Sequence, residues 1–252
     1  MHWVGLQRVV LERNCLQSRM PKTGAHAAVP HCTCTVAAHA PKLVVLTGGP
    51  GAGKTAILEF AQREFCKHVT VLPEAANVLW QGNFPRRDSE LARRAAQRAI
   101  ARVQIELERI ALEDVSNAVV LCDRGTLDGV AYWPGPKDGA SERTLEAGPE
   151  TDFYAEIGID RVQELARYAA VIHLRTPNAH NGYNHCNPMR TENPTEASAI
   201  DERIVAAWAG HPRRVFVEST PRFLTKLAQT IELIRAEIPM CCQGIPQRTL
   251  PS

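Results

Sequence analysis

The chain has 252 residues, of which 44% are hydrophobic and 22% charged, and a formal net charge of +2. That length and balance suit one ordinary globular domain with tails. So small a charge argues against nucleic acid or a membrane surface as partner, and no apolar run approaches the ~20 residues that span a bilayer.

In chain order, residues 1–41 come first as a basic stretch whose one acidic residue is Glu12. They show no apolar period and read as a disordered tail. His26, His31, Cys32 and Cys34 invite a metal reading, but a tight Cys-x-Cys pair with no second pair nearby at zinc-site spacing weighs against it. The domain is expected over 42–239. Its first strand, Leu43–Thr47, runs into Gly48-Gly49-Pro50-Gly51-Ala52-Gly53-Lys54-Thr55, and a helix follows from Ala56. This fits the pattern G-x-x-x-x-G-K-[ST] in the strand–loop–helix context that phosphate binding requires. The glycines admit positive φ, and successive N–H groups face phosphate oxygens at a helix N-terminus. Lys54 would reach the β/γ-phosphates of ATP or GTP, and Thr55 would bind Mg²⁺.

A second strand, Val69–Leu72, leads through Pro73 to Glu74 and a short helix over Ala75–Trp80. Ser89 reads as the N-cap of a long helix to about Glu113, with Ile100, Val103, Leu107 and Ile110 as its apolar stripe. Arg94, Arg98, Arg102 and Arg109 occupy its other face, as a solvated surface or as cations turned toward an anionic acceptor. Strand three, Ala118–Cys122, runs into Asp123-Arg124-Gly125, and strand four, Ala169–Leu174, into Arg175-Thr176-Pro177. The segment 175–203 reads as a lid. Its Asn, Gly and Pro residues favour turns, and it carries Arg190 and Arg203; His180, His185 and Cys186 within it make a weak metal candidate. A helix is expected near Pro194–Ala209, then strand five, Arg214–Val217, the Ser219-Thr220-Pro221 turn and a last helix, Arg222–Ile238. Residues 240–252, with Cys241-Cys242, read as a second disordered tail. Alternating strands and helices define an α/β parallel sheet.

Ligands of such sheets bind beyond the carboxyl ends of the strands, which gathers Glu74, Asp123, Arg124 and Arg175 beside the phosphate loop. Asp123 can hold Mg²⁺ directly or through water, or cap the helix that follows. Arg124 is either a phosphate clamp or an ion-pair partner. Glu74 is either the base that orients an acceptor hydroxyl or an acid favourable to its helix N-terminus, and Asp128 is the competing acid. The eight cysteines form no disulfide framework, and a nucleotide site points to a reducing, cytoplasmic setting.

VVLTGGPGAGKT (44–55), LPEAANVL (72–79), VLCDRGTLDGVAYW (120–133), VIHLRTP (171–177), YNHCNPMRTE (183–192) and HPRRVFVES (211–219) together resemble a P-loop kinase-like ATP-binding family. That family includes bacterial AAA-family ATPases, the ribosylnicotinamide-kinase half of a bifunctional regulator of NAD biosynthesis, and the amino-terminal domain of a GTP-binding trafficking protein. The resemblance implies a three-layer P-loop NTPase sandwich with sheet order 2-3-1-4-5. It places Asp123 and Arg124 at the acid–arginine pair that meets metal and acceptor, and Arg190 on the lid. It leaves the acceptor and the oligomeric state open. Two readings follow: a Mg-dependent phosphotransferase acting on a small nucleoside- or nucleotide-like molecule, or a nucleotide-gated binding module with slow turnover and a regulatory partner.

Overall fold

Strand β1 (Lys42–Thr47) is buried from Leu43 onward, and its side chains divide by alternation. Val44 and Leu46 enter one apolar core, Leu43 and Val45 another. A strand covered on both faces reads as an unbroken apolar run, which is why this one is visible in the sequence. With β2 (Val69–Leu72), β3 (Val119–Asp123), β4 (Tyr168–Leu174) and β5 (Arg214–Val217) it forms a parallel sheet in the order β2-β3-β1-β4-β5. The computed structural model describes residues 32, 34–134, 142–177, 194–220 and 222–243.

Helix α1 (Lys54–Glu64) is the first element after β1, followed beyond β2 by α2 (Ala75–Gln81) and α3 (Glu90–Glu113). The helices α4 (Glu142–Ile157), α5 (Arg161–Arg167), α6 (Pro194–Ala207) and α7 (Phe223–Glu237) follow in turn. Ile57, Leu58 and Ala61 of α1 join Leu227, Ile231 and Ile234 of α7 against one face of the sheet. Ala111 of α3, Ile200 and Ile204 of α6, and the fully buried Trp208 cover the other. The result is the three-layer α/β sandwich expected. No helix among the described residues is long and apolar enough to cross a membrane.

The structure differs from the sequence reading in three places. Residues 126–167, where the sequence suggests only a helix after strand three, carry a 3₁₀ turn, Thr126–Tyr132, and then α4 and α5. On α3 the buried positions are Ala96, Ala101, Gln104, Glu108 and Ala111, whereas Ile110 is exposed. The helix turns this face inward because Glu108 and Gln104 anchor a buried polar network there. Finally, ordered chain extends past the 42–239 span on both sides. The His39 N–H donates to Val115 O at 2.7 Å, Cys32 and Cys34 pack on the first core, and a 3₁₀ turn, Met240–Cys242, buries Cys242. A salt bridge of 2.9 Å from Lys42 to Glu237 ties the two ends together.

Candidate nucleotide and phosphoryl-transfer site

The register of β1 sets Leu46 beside Asp123 and Ile172, so the carboxyl ends of three strands open onto one place. There the chain leaves β1 through Gly48 at φ +129°, where an added Cβ would lie 2.0 Å from the Leu174 carbonyl oxygen. No side chain fits so close to backbone. Gly53, at φ +91°, precedes α1 with the Phe223 ring 2.9 Å from its would-be Cβ.

Lys54 begins α1 and is buried. Its Nζ donates to Gly48 O at 2.8 Å and Gly49 O at 3.0 Å. Burial, reinforced by the Arg124 charge, lowers its pKa to about 8, against the opposing pull of Asp123, Glu74 and Asp128. On the next residue, the Thr55 hydroxyl donates to Asp123 Oδ2 at 3.3 Å. The other Asp123 oxygen is buried with no hydrogen-bond partner among the described residues. Burial, with Glu74 adding, pushes this carboxyl up to about 6 despite Lys54, Arg124 and Thr55. A hydroxyl beside a carboxylate with an orphaned oxygen is a donor set that fits a hard divalent cation.

Arg124 stands at φ +74°, an uncommon conformation for a side chain of its size. Strain of that kind, about 1–3 kcal/mol, persists where surroundings over-determine the backbone. Here the Arg124 N–H donates to Leu46 O at 3.1 Å, and Gln104 Nε2 donates to Arg124 O at 3.2 Å. The conformation aims the guanidinium at the loop: Nε donates to Glu74 Oε1 at 2.7 Å and one terminal nitrogen to Gly48 O at 3.3 Å. Glu74 accepts a further bond from Asn77 Nδ2 at 2.9 Å. Burial alone would raise the Glu74 pKa, but Arg124 and Lys54 overcome it and hold the carboxyl below its usual range. Asp128, the competing acid, also lines the cavity and lies 3.9 Å from Arg124, but it is held by its own turn: it accepts from Thr47 Oγ1 and, at 2.7 Å, from the Gly125 N–H.

Beneath this turn lies the network on α3. Glu108, fully buried, pairs with Arg167 and accepts from Tyr168 OH at 2.9 Å and Gln104 at 2.8 Å. Glu164 joins it by pairing with Arg167 and accepting from the Thr126 hydroxyl at 2.6 Å. Another group fixes the loop from the opposite side. Asp201 of α6 accepts the Gly49 N–H at 2.8 Å, lies 3.0 Å from His173 Nε2 and pairs with Arg175 at 3.2 Å. Nothing in the sequence distinguishes Asp201 or Glu108 from solvated helix acids. His173 alone left a trace, as a lone polar residue inside the apolar run of β4.

Other sequence candidates land away from the site. Arg94 and Arg98 pair with Glu156, Arg102 donates to Ile157 O, and Arg109 pairs with Glu106. Arg203 donates to Ala131 O at 2.8 Å, so it braces the 3₁₀ turn. Arg190, His180, His185, Cys186, His26 and His31 lie outside the described residues.

A cavity of about 730 Å³ runs from the loop residues Lys54 and Thr55 past Glu74 and Arg124. It continues between α2, α3 and the 3₁₀ turn, where Trp80, Gln97 and Tyr132 line it.

Comparisons with known proteins bear on this geometry. A family model described as "AAA domain" matches residues 43–222. No curated protein matches. The NadR protein in complex with NAD and AMP-PNP shares the fold at a TM-score of 0.53 and 15% identity, over 84% of this chain and 52% of that one. The NadR protein in complex with NR does so at 0.56 and 16%, over 85% of this chain and 55% of that one. Thymidylate kinase from Candida albicans aligns at 0.47 and 14%, over 81% of this chain and 95% of its own. The chain therefore spans about half the length of the NadR structures it matches. From its sheet order, its phosphate loop and the family match across most of its length, the chain belongs to the P-loop, kinase-like AAA-domain family of ATP-binding proteins.

Proposed function

We propose that this chain is a phosphotransferase that moves the terminal phosphoryl group of Mg-ATP or Mg-GTP onto a small nucleoside- or nucleotide-like acceptor. The observation that carries the proposal is the cavity. At about 730 Å³ it has the size of a small-molecule site, and it is continuous with the phosphate loop. A protein that only hydrolysed nucleotide would need no such room beside Arg124.

The loop N–H groups and the start of α1 would receive the phosphates. Lys54 would exchange its two carbonyl partners for phosphate oxygens, a charge-assisted contact. Magnesium arriving with the nucleotide would be held by Thr55 and Asp123, where it would neutralise phosphate charge. Arg124, braced by Glu74, would clamp the group in transfer or the acceptor. Phosphoryl transfer depends mainly on positioning and charge neutralisation. A carboxylate already paired with Arg124 and Asn77 accepts protons poorly, so Glu74 serves best as a positioning residue. Arg190 would belong to a lid that closes over the nucleotide. A cytosolic setting, reducing and supplied with Mg-ATP, suits this chemistry.

Trp80, Tyr132 and Gln97 in the cavity wall suit a flat heteroaromatic acceptor with hydrogen-bonding edges. Stacking on such a ring contributes about 1–3 kcal/mol. Trp80→Ala should therefore raise the acceptor KM about tenfold or more and leave the nucleoside triphosphate KM within about twofold. Steady-state kinetics with each substrate varied in turn reads both. Unchanged acceptor KM would place the acceptor elsewhere. The same commitment of Glu74 favours one second reading, a nucleotide-gated binding module with slow turnover.

A further inference from the structure

At the amino-terminal end of the sheet, remote from the phosphate loop, seven thiol and imidazole side chains converge from three segments of chain. Cys32, Cys34 and His39 come from the stretch before β1, Cys66 and His68 from the turn between α1 and β2, and Cys241 and Cys242 from the turn after α7. They form two sets of four, Cys32–Cys66–His68–Cys242 and Cys34–His39–Cys241–Cys242, which share Cys242. Within each set the donor atoms lie within 4.8 Å of one another.

The distances are those of coordination polyhedra. Tetrahedral zinc, with Zn–S of about 2.3 Å and Zn–N of about 2.0–2.1 Å, requires edges near ~3.6 Å for S···N and ~3.8 Å for S···S. In the first set His68 Nδ1 lies 3.2 Å from Cys32 Sγ, 3.3 Å from Cys242 Sγ and 3.8 Å from Cys66 Sγ. In the second, His39 Nε2 lies 3.7 Å from Cys34 Sγ and 3.9 Å from Cys242 Sγ, and the sulfurs of Cys241 and Cys242 are 3.9 Å apart.

Two simpler accounts fail on these numbers. A disulfide needs sulfurs about 2.05 Å apart, and the six described cysteines are all free. Hydrogen bonding also falls short. One imidazole nitrogen has a single proton or a single lone pair to offer, yet three sulfurs converge on His68 Nδ1. An ion at the centre of each set satisfies every donor.

We propose that these side chains hold two thiophilic divalent ions, zinc in the cell, one in each set, with the Cys242 thiolate bridging them. Four protein ligands per ion close both sites, the hallmark of a structural role. Five thiolates against two dications leave one negative charge on the cluster. The pair would fasten the segments before β1 and after α7 onto the α1–β2 turn and the core beneath. It is independent of the nucleotide reading.

Metal analysis of the full chain, purified without chelator from zinc-supplied culture, tests this directly. About two zinc ions per chain are expected. Cobalt loading should give the tetrahedral d–d bands and thiolate-to-cobalt charge transfer of sulfur-rich sites. Cys34→Ser and Cys66→Ser should each lose one ion, and Cys242→Ser both. Should Cys242→Ser fail to fold, Cys34→Ser and the cobalt spectrum of the unaltered chain still decide. No stoichiometric zinc in the chain purified this way overturns the proposal. One zinc ion per unaltered chain, retained undiminished in Cys34→Ser, overturns the bridged pair.

Discussion

Asp123→Asn should raise the melting temperature of the ligand-free protein by about 5–10 °C at neutral pH while abolishing magnesium-dependent nucleotide binding. The cause is the cost of a buried charge. Burial and Glu74 push the Asp123 pKa from 3.8 up to about 6. Because the folded value is raised, the folded state binds the proton more tightly than the unfolded chain. Stability is therefore greatest below the unfolded value and is lost as pH rises through about 6. The shift corresponds to about 3 kcal/mol, and each kcal/mol is worth about 2–4 °C in a chain of this size. Asparagine keeps the acceptor for Thr55 without the charge. Thermal scans at neutral pH and near pH 4 check this: the gain should be large at the first and small at the second. A variant less stable than the parent at neutral pH would show that the carboxylate is satisfied in the ligand-free fold.

Lys54→Ala should weaken nucleotide binding by about 100-fold or more and remove a specific pH dependence. Two charge-assisted contacts to phosphate, each worth about 1.5–3 kcal/mol, set that scale. In the ligand-free protein burial and Arg124 lower the Lys54 pKa from 10.5 to about 8. Between those values the unfolded chain binds more protons than the folded one, so ligand-free stability rises with pH across that window. Nucleotide affinity does the reverse, because the ammonium that meets the phosphates is lost above about pH 8. Calorimetric titration and thermal scans over the same pH range should thus diverge in the parent protein. In Lys54→Ala the divergence should vanish. Affinity that stays flat through that window in the parent would remove Lys54 from the phosphate contacts.

Local patterns carried the parts of this molecule that the sequence reveals. β1, the glycine loop and α1 are contiguous, and their order alone specifies a phosphate cradle. Asp123 and Arg124 follow an apolar run and so announce the end of a strand. Contacts between distant positions are another matter. Asp201 meets Gly49 across 152 residues of chain, and only the packing of α6 on the sheet brings them together. Glu108 sits on the buried face of α3 because Arg167 and Tyr168, from α5 and β4, neutralise and solvate it. The aliphatic stripe through Ile110 reads as the inner face, and the polar network overrides it by turning Gln104 and Glu108 inward. Cys242 and His68 lie 174 residues apart, so no spacing rule for paired cysteines could unite them. The acceptor pocket has no linear signature, since α2, α3 and the 3₁₀ turn each contribute a few side chains.

Acceptor-dependent formation of ADP or GDP is the measurement that reaches the central claim most directly. The chain would be supplied with Mg-ATP or Mg-GTP, alone and with pools of nucleosides, nucleotides and ribosylnicotinamide, beside Lys54→Ala as the inactive control. One pool should stimulate diphosphate release well above the nucleotide-only rate, with a phosphorylated acceptor of matching mass and no response in Lys54→Ala. Tight nucleotide binding with the same negligible turnover in every pool would contradict a phosphotransferase and leave the nucleotide-gated binding module in its place.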